Sequence, residues 1–115
     1  MRSGLKTVNL EEGRPTSDAA IRRLTHELHA ARSLGYAALK LIHGYGSTGA
    51  GGRIRVEARA YLGRLLQKRQ LRAVVTGEQF SIFDEATRAA FSLCGDLRRD
   101  PDLERHNNGV TFVML

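Results

Sequence analysis

Apolar and polar positions along the chain change period several times, and each change marks an element. Residues 5–10 alternate loosely, with Leu5, Val8 and Leu10 apolar, which predicts a short strand. Glu11-Glu12-Gly13-Arg14-Pro15 breaks it. Thr16 or Ser17 can then cap a helix that runs to Leu34, with Asp18 in its first turn facing the positive helix end. Ile21, Leu24, Leu28 and Ala31 recur at helical spacing and form one buried stripe, while Arg22, Arg23, Glu27 and Arg32 fall off it. Gly35 supplies the left-handed stop. A second strand, Tyr36 to Ile42, follows at once, so strand, helix and strand read as a right-handed crossover joining a parallel pair.

A second helix is expected from about Ile54 to Gln70, burying Ile54, Ala58, Tyr61, Leu62 and Leu65, and a Val-rich third strand from Leu71 to Thr76, closed by Gly77. Residues 78–83 look extended. Asp84 can cap a helix from Glu85 to about Cys94 that buries Phe83, Ala86, Ala90 and Phe91. The chain turns at 97–102, with one helical turn expected over 102–105 and a loop at 106–109. The last strand, Val110 to Leu115, is apolar on both sides, so it should be covered on both faces or lie centrally. The sum is β-α-β-α-β-(α)-β: an α/β (α+β) fold with one mixed four-stranded sheet and helices packed on it, two layers by counting faces.

The stretch between the second strand and second helix carries the candidate chemistry. The apolar run Leu39, Leu41, Ile42 ends at His43, and glycines follow at 44, 46, 49, 51 and 52. A strand, a glycine-rich loop and a helix N-terminus bring backbone N–H groups and a positive helix end around a small space, which suits a phosphate. Arg53 and Arg55 fall in the expected first turn, where cations oppose the helix dipole until an anion arrives. The competing reading is a flexible, solvated connection. The loop lacks the Gly-Lys-Ser/Thr ending of a Walker loop. Glycines 44, 46 and 49 fit G-x-G-x-x-G, but the helix does not begin inside that motif, and position 69, about 20 residues on, is Arg rather than an acid.

Charge sharpens this picture. A formal net charge of +6 and a pI near 10.2 favour a polyanionic partner or surface through general attraction, the competing reading being a soluble basic protein with no such partner. On the second helix Arg53, Arg64 and Lys68 lie roughly opposite the buried face with Arg55 and Arg59 on a flank, and Glu57 is almost the only acid among them, which favours a binding surface. The single cysteine, Cys94, rules out an intrachain disulfide, fits a reducing cytosol and reads as a small hydrophobe. No apolar leader follows Met1 and no run reaches transmembrane length, so a cytoplasmic protein that avoids membranes is expected. His26 and His29, three apart without a carboxylate or cysteine partner, read as structural histidines.

These residues carry a resemblance. An apolar strand ending in His43-Gly44-Tyr45-Gly46, followed by Gly52-Arg53-Ile54-Arg55 and a helix, resembles the small MutS-related (Smr) domain. Gly109 to Leu115 resembles that domain's closing strand, and Val8-Asn9-Leu10 sits where the family has its first strand. The resemblance covers roughly residues 6–77 and 107–115 of one domain spanning 1–115, and residues 78–108 depart from it as a helical insertion. It implies the plan shared with the C-terminal domain of translation initiation factor three. It also implies a nucleic-acid-binding module, as Smr domains are, and several of them are endonucleases that nick DNA or cleave RNA.

The family's active centre is attributed to Leu-Asp-x-His at the first strand and His-Gly-x-Gly after the second. The second motif matches at His43, Gly44, Tyr45 and Gly46; at the first, Asn9 stands for the acid and Glu11 for the histidine. The implied nucleic-acid contacts are His43, Gly44, Tyr45, Gly46, Gly49, Gly51, Gly52, Arg53, Arg55 and Arg59, with the His43 imidazole facing a phosphate and Tyr45 stacking on a base. The partner the resemblance implies is DNA or RNA, structured or ribosomal, and no cofactor is expected. The alternative is an endonuclease using His43 with Glu11 or Glu12 and magnesium. A third reading is a protein-interaction or structural domain.

Overall fold

A computed structural model describes residues 4–45 and 51–115. The first strand, β1 (Leu5–Asn9), leads into α1 (Ser17–Ser33). Thr16 caps this helix, its hydroxyl accepting from the Ala19 N–H at 3.2 Å, and Gly35 ends it with φ +80°. Ala20, Leu24, Leu28 and Ala31 are its buried face. Then come β2 (Ala38–Ile42), α2 (Gly51–Gln67), β3 (Ala73–Thr76), α3 (Glu85–Leu93), a 3-10 turn (Gly95–Arg99) and β4 (Val110–Met114). The α2 helix starts three residues earlier than its apolar stripe predicts. Arg53 is therefore in the first turn and Arg55 in the second.

The four strands are ordered β1-β2-β4-β3. The β1–β2 pair is parallel, as the crossover demands, and β4 inserts antiparallel between β2 and β3. All five β4 residues are buried. The expectation of a central strand covered on both faces therefore holds in both senses. Leu39, Leu41 and Val113 point to one face, where α1 and α2 supply Leu24, Leu28, Ala58 and Leu62. Ala38, Phe112 and Met114 point to the other, against Phe80, Ala90, Phe91 and Leu97. Helical segments thus flank the sheet on both sides, where face counting had given two layers. The apolar back of β4 requires a cover, and residues 80–97 provide it.

Two positions differ from the pattern reading. Phe83 is 84% exposed and Ala86 is exposed, although both were expected inside. Asp84 is the N-cap of α3, accepting from the Thr87 N–H at 2.8 Å. The cap sets the helix phase so that Thr87, Ala90 and Phe91 turn inward. The Thr87 hydroxyl satisfies itself on the Gln79 carbonyl at 3.1 Å, which lets a polar residue hold the inner position. Cys94 is enclosed and its thiol pKa is pushed up by burial, as befits a packing residue.

One charge lies inside this second layer. Lys40, in the middle of β2, is 7% exposed, and its Nζ donates to Asp100 at 2.9 Å and Asp102 at 2.6 Å, 5.7 Å from the centre of the Phe112 ring. Burial works to lower the lysine pKa, but the bonds to Asp102 and Asp100 outweigh it and the value is raised. Burial works to raise Asp102, and the bonds from Lys40 and Asn107 outweigh it, so that carboxyl is lowered. Asp102 also accepts from the Asn107 side chain at 2.9 Å, so the ion pair fixes the segment that enters β4.

Lys40→Met should destabilise the fold by about 3–5 kcal/mol in urea unfolding, because two enclosed carboxylates lose their cation. The contribution from Asp102 should be present above the usual aspartate pKa and be lost as pH falls through its depressed folded value. That from Lys40 should persist to high pH and be lost only above the ordinary lysine range. The variant should show neither dependence.

Candidate nucleic-acid interface

Sheet register gathers several loops at one end. Ile42, the last residue of β2, pairs with Val110, the first of β4, and Thr76, the last of β3, pairs with Thr111. The turn after β1, the residues after β2, the first turns of α2, Glu78 and the 107–109 segment therefore meet there. Gly109 O accepts from both the His43 and the Gly44 N–H groups at 3.0 Å each, closing the end of β2 against the start of β4. Gly44 has φ +70°, a backbone conformation that favours glycine, and the Glu11 carboxylate lies against it, where it would have to swing aside for any larger residue.

His43 is 0% exposed. Its Nδ1 lies 2.7 Å from the Gly44 carbonyl oxygen, which can only accept, so Nδ1 carries the proton. Nε2 lies 2.8 Å from Thr111 Oγ1. The imidazole is neutral, so Nε2 accepts from the threonine hydroxyl, whose oxygen in turn accepts from Arg59 Nε at 3.0 Å. Burial lowers the His43 pKa to about 4, with the nearby Arg59 and Arg55 charges acting the same way against the opposing Gly44 bond. An imidazole aimed at a bound phosphate was expected; the structure instead encloses the ring and occupies both nitrogens. The sequence does not reveal this, because it cannot say that residue 111, on a strand 68 positions later, offers a hydroxyl at that spot.

Arg59 also differs from expectation. It grips Glu78 with a two-point fork, Nη1 to Oε2 at 2.8 Å and Nη2 to Oε1 at 2.7 Å, and Nη2 reaches the Val110 carbonyl at 3.2 Å. Its bond to Arg59 holds the Glu78 carboxyl below the usual range. This arginine is a staple between α2, β4 and the chain after β3, with its charge matched by Glu78. Thr111 and Glu78 are the site residues that sequence reasoning missed. A threonine in an apolar strand was a faint signal for the first, and nothing marked the second.

The other two arginines are not spent in this way. Arg53 is exposed, and among the described residues its one ion pair is a long contact to Glu57, 3.6 Å. Arg55 is half-buried, and its Nε is enclosed with no hydrogen-bond partner among the described residues. No acid lies in the first turn of α2. Gly51 begins this helix and Gly52 is half-buried beside it, while Gly46 and Gly49 lie outside the described residues. Tyr45 is 56% exposed at the loop, with its ring edge near Gly109.

On the β1 side, Asn9 Oδ1 accepts from the Glu11 N–H at 2.9 Å, and Arg23 Nη1 donates to the Glu12 and Asn9 carbonyls at 2.8 and 3.3 Å. Asn9 thus shapes the turn, Glu11 reaches the loop, and Glu12 points to solvent. Among the described residues no group of three or more His, Cys, Asp or Glu side chains could hold a metal ion, and no helix is long and apolar enough to cross a membrane.

Comparison with solved structures finds the Smr domain of MutS2 from Thermus thermophilus, which superposes with a TM-score of 0.59 at 24% sequence identity and covers 96% of each chain. The fold, a mixed four-stranded sheet with three α-helices, is that of an Smr domain. No family model and no curated protein matches the sequence.

The lowered His43 pKa has a direct readout. The unfolded chain takes up this proton near pH 6.5 and the folded protein only near 4. Stability from keeping the ring neutral should be complete above pH 6.5 and be lost as pH falls towards 4, by about 3 kcal/mol in all. Imidazole NMR shifts should stay flat down to about pH 5, and His43→Gln should remove this part of the pH dependence of urea unfolding.

Proposed function

We propose that this chain is a nucleic-acid-binding domain that holds the phosphate backbone against the start of α2. The observation that carries this reading is the pairing state of three neighbouring arginines. Arg59 is neutralised by Glu78, whereas Arg53 and Arg55 stand at an acid-free helix N-terminus, one barely paired and the other with an enclosed unpaired Nε. Phosphate oxygens would satisfy both the helix end and the guanidinium groups. The net charge of +6 adds general attraction, the exposed Tyr45 ring offers a base a stacking surface, and the Smr fold agrees with such a role.

In this reading His43 is a positioning residue: it fixes Gly44 without touching the ligand. A general acid or base needs an open nitrogen with a pKa near the working pH, and this ring has neither. Binding is therefore the function that the geometry supports over cleavage through His43.

The test is titration of labelled single- and double-stranded RNA and DNA at rising salt, with and without magnesium, scoring binding and cleavage together. The logarithm of affinity should fall linearly with that of salt, by roughly 0.7–0.9 per phosphate contacted. Arg53→Ala and Arg55→Ala should each weaken binding while the protein stays folded, and Tyr45→Ala should cost about 1–3 kcal/mol that Tyr45→Phe retains. Affinity indifferent to salt would sink the reading. Magnesium-dependent cleavage by the wild type that vanishes in His43→Gln, with binding unchanged, would make the chain an enzyme instead.

A further inference from the structure

The turn ahead of α3 holds an aromatic ring out in water. Phe83 is 84% exposed and Ile82 beside it 49%. A slack loop would let such side chains fold back, but this turn is tied at every step. Glu104 accepts from the Ser81 hydroxyl at 2.7 Å and from the Ile82 N–H at 2.6 Å, and these bonds hold its carboxyl below the usual range. Arg88 donates to the Ile82 carbonyl at 2.8 Å, and the Phe83 N–H donates to Ser81 Oγ at 3.1 Å. The cost of ordering these residues is met before any partner arrives, and aromatic rings are enriched at the cores of protein interfaces.

The apolar surface continues along the helix. Ala86, Ala89 and Leu93 are all exposed and follow at spacings of three and four, on a flank away from the inward Thr87, Ala90 and Phe91. Two small residues there let a second helix come close. The ends of this surface carry opposite net charge: Asp84 and Glu85 outnumber Arg88 at the start of α3, and Arg98 and Arg99 outnumber Asp96 just past its end. Arg99 shares its charge with Asp96 at 2.7 Å, while Arg98 lies over the Phe91 ring at 4.8 Å with no carboxylate partner among the described residues.

We propose that this face binds a second copy of the chain, α3 against α3, antiparallel about a two-fold axis. That arrangement crosses the helices near Ala89, brings Phe83 of each copy to the Leu93 end of the other, and sets acidic end against basic end twice. A parallel pairing would oppose like charges. A two-fold contact is self-complementary and closes after two copies. One helix of nine residues and its flanking turn make an interface at the small end of the range, so association is weak and depends on concentration. Because α3 lies on the sheet face opposite α2, the dimer leaves the Arg53 and Arg55 surface open in both copies.

Sedimentation equilibrium of the full chain, from low micromolar to near-millimolar concentration, tests this. The wild type should show a reversible monomer–dimer equilibrium that weakens with salt. Phe83→Ser should weaken it by roughly thirtyfold or more. Ala89→Glu, which puts like charges together at the crossing, should leave only monomer. Both variants should keep the wild-type melting temperature at dilute concentration, since both positions are solvent-exposed in one copy. A wild type that stays monomeric throughout, or a dimer that survives both substitutions, overturns the proposal, and a monomeric wild type leaves the face for a different protein. Nucleic-acid binding plays no part in these outcomes.

Discussion

The Thr111 hydroxyl is the junction on which the loop end of the sheet depends. It accepts from Arg59 on α2 and donates to His43 at the end of β2, while His43 donates onward to the Gly44 carbonyl. Three elements and the glycine loop are thus joined by one directional chain of hydrogen bonds in an enclosed place. The direction is forced from both ends, because a guanidinium can only donate and a carbonyl can only accept. The neutral imidazole between them is the species that completes the chain, and burial secures it by holding the pKa near 4. The hydroxyl of Thr111 and both ring nitrogens of His43 are satisfied, which makes the relay rigid and orients Gly44.

That chain also sorts the arginines. By sequence Arg53, Arg55 and Arg59 look interchangeable: three cations within two turns of helix. In the fold Arg59 faces β4 and finds Glu78, Thr111 and two carbonyls, so most of its donors are engaged and its charge is matched. Arg53 faces solvent and Arg55 lies between the two. A guanidinium already matched by a two-point carboxylate offers little attraction to a phosphate, whereas one with an enclosed unpaired donor gains by meeting an acceptor. In the proposed reading, the capacity of this surface for an anion is set by which charges the protein has already used.

Residues 78–108, which depart from the sequence resemblance, are woven into the same end of the molecule. They supply Glu78 to the relay and Asp100 and Asp102 to Lys40, and Phe80, Ala90, Phe91 and Leu97 cover the second face of the sheet. Asp102 also anchors Asn107, whose side-chain oxygen accepts from the Gly109 N–H at 2.9 Å. The carbonyl of that same glycine closes β2, so the Lys40 ion pair on one face reaches the His43 relay on the other through four successive contacts.

The order of elements, the parallel crossover, the caps at Thr16 and Asp84 and the central place of β4 were all legible in the chain, because period, capping and two-sided apolarity are local properties. So was the position of the glycine loop between β2 and α2. The burial of His43, the neutralisation of Arg59, the ion pair of Lys40 and the exposure of Phe83 were not. Each depends on a residue distant in sequence: Thr111 for His43, Glu78 for Arg59, Asp100 and Asp102 for Lys40, Glu104 for the Phe83 turn. A sequence fixes which side chains can hydrogen-bond or carry charge, but pairing is decided by distances of about 3 Å that only the folded chain sets. The sequence therefore determined the scaffold and the chemical inventory at its loop end, and the tertiary structure decided which of those groups are spent holding the protein together and which remain for a partner.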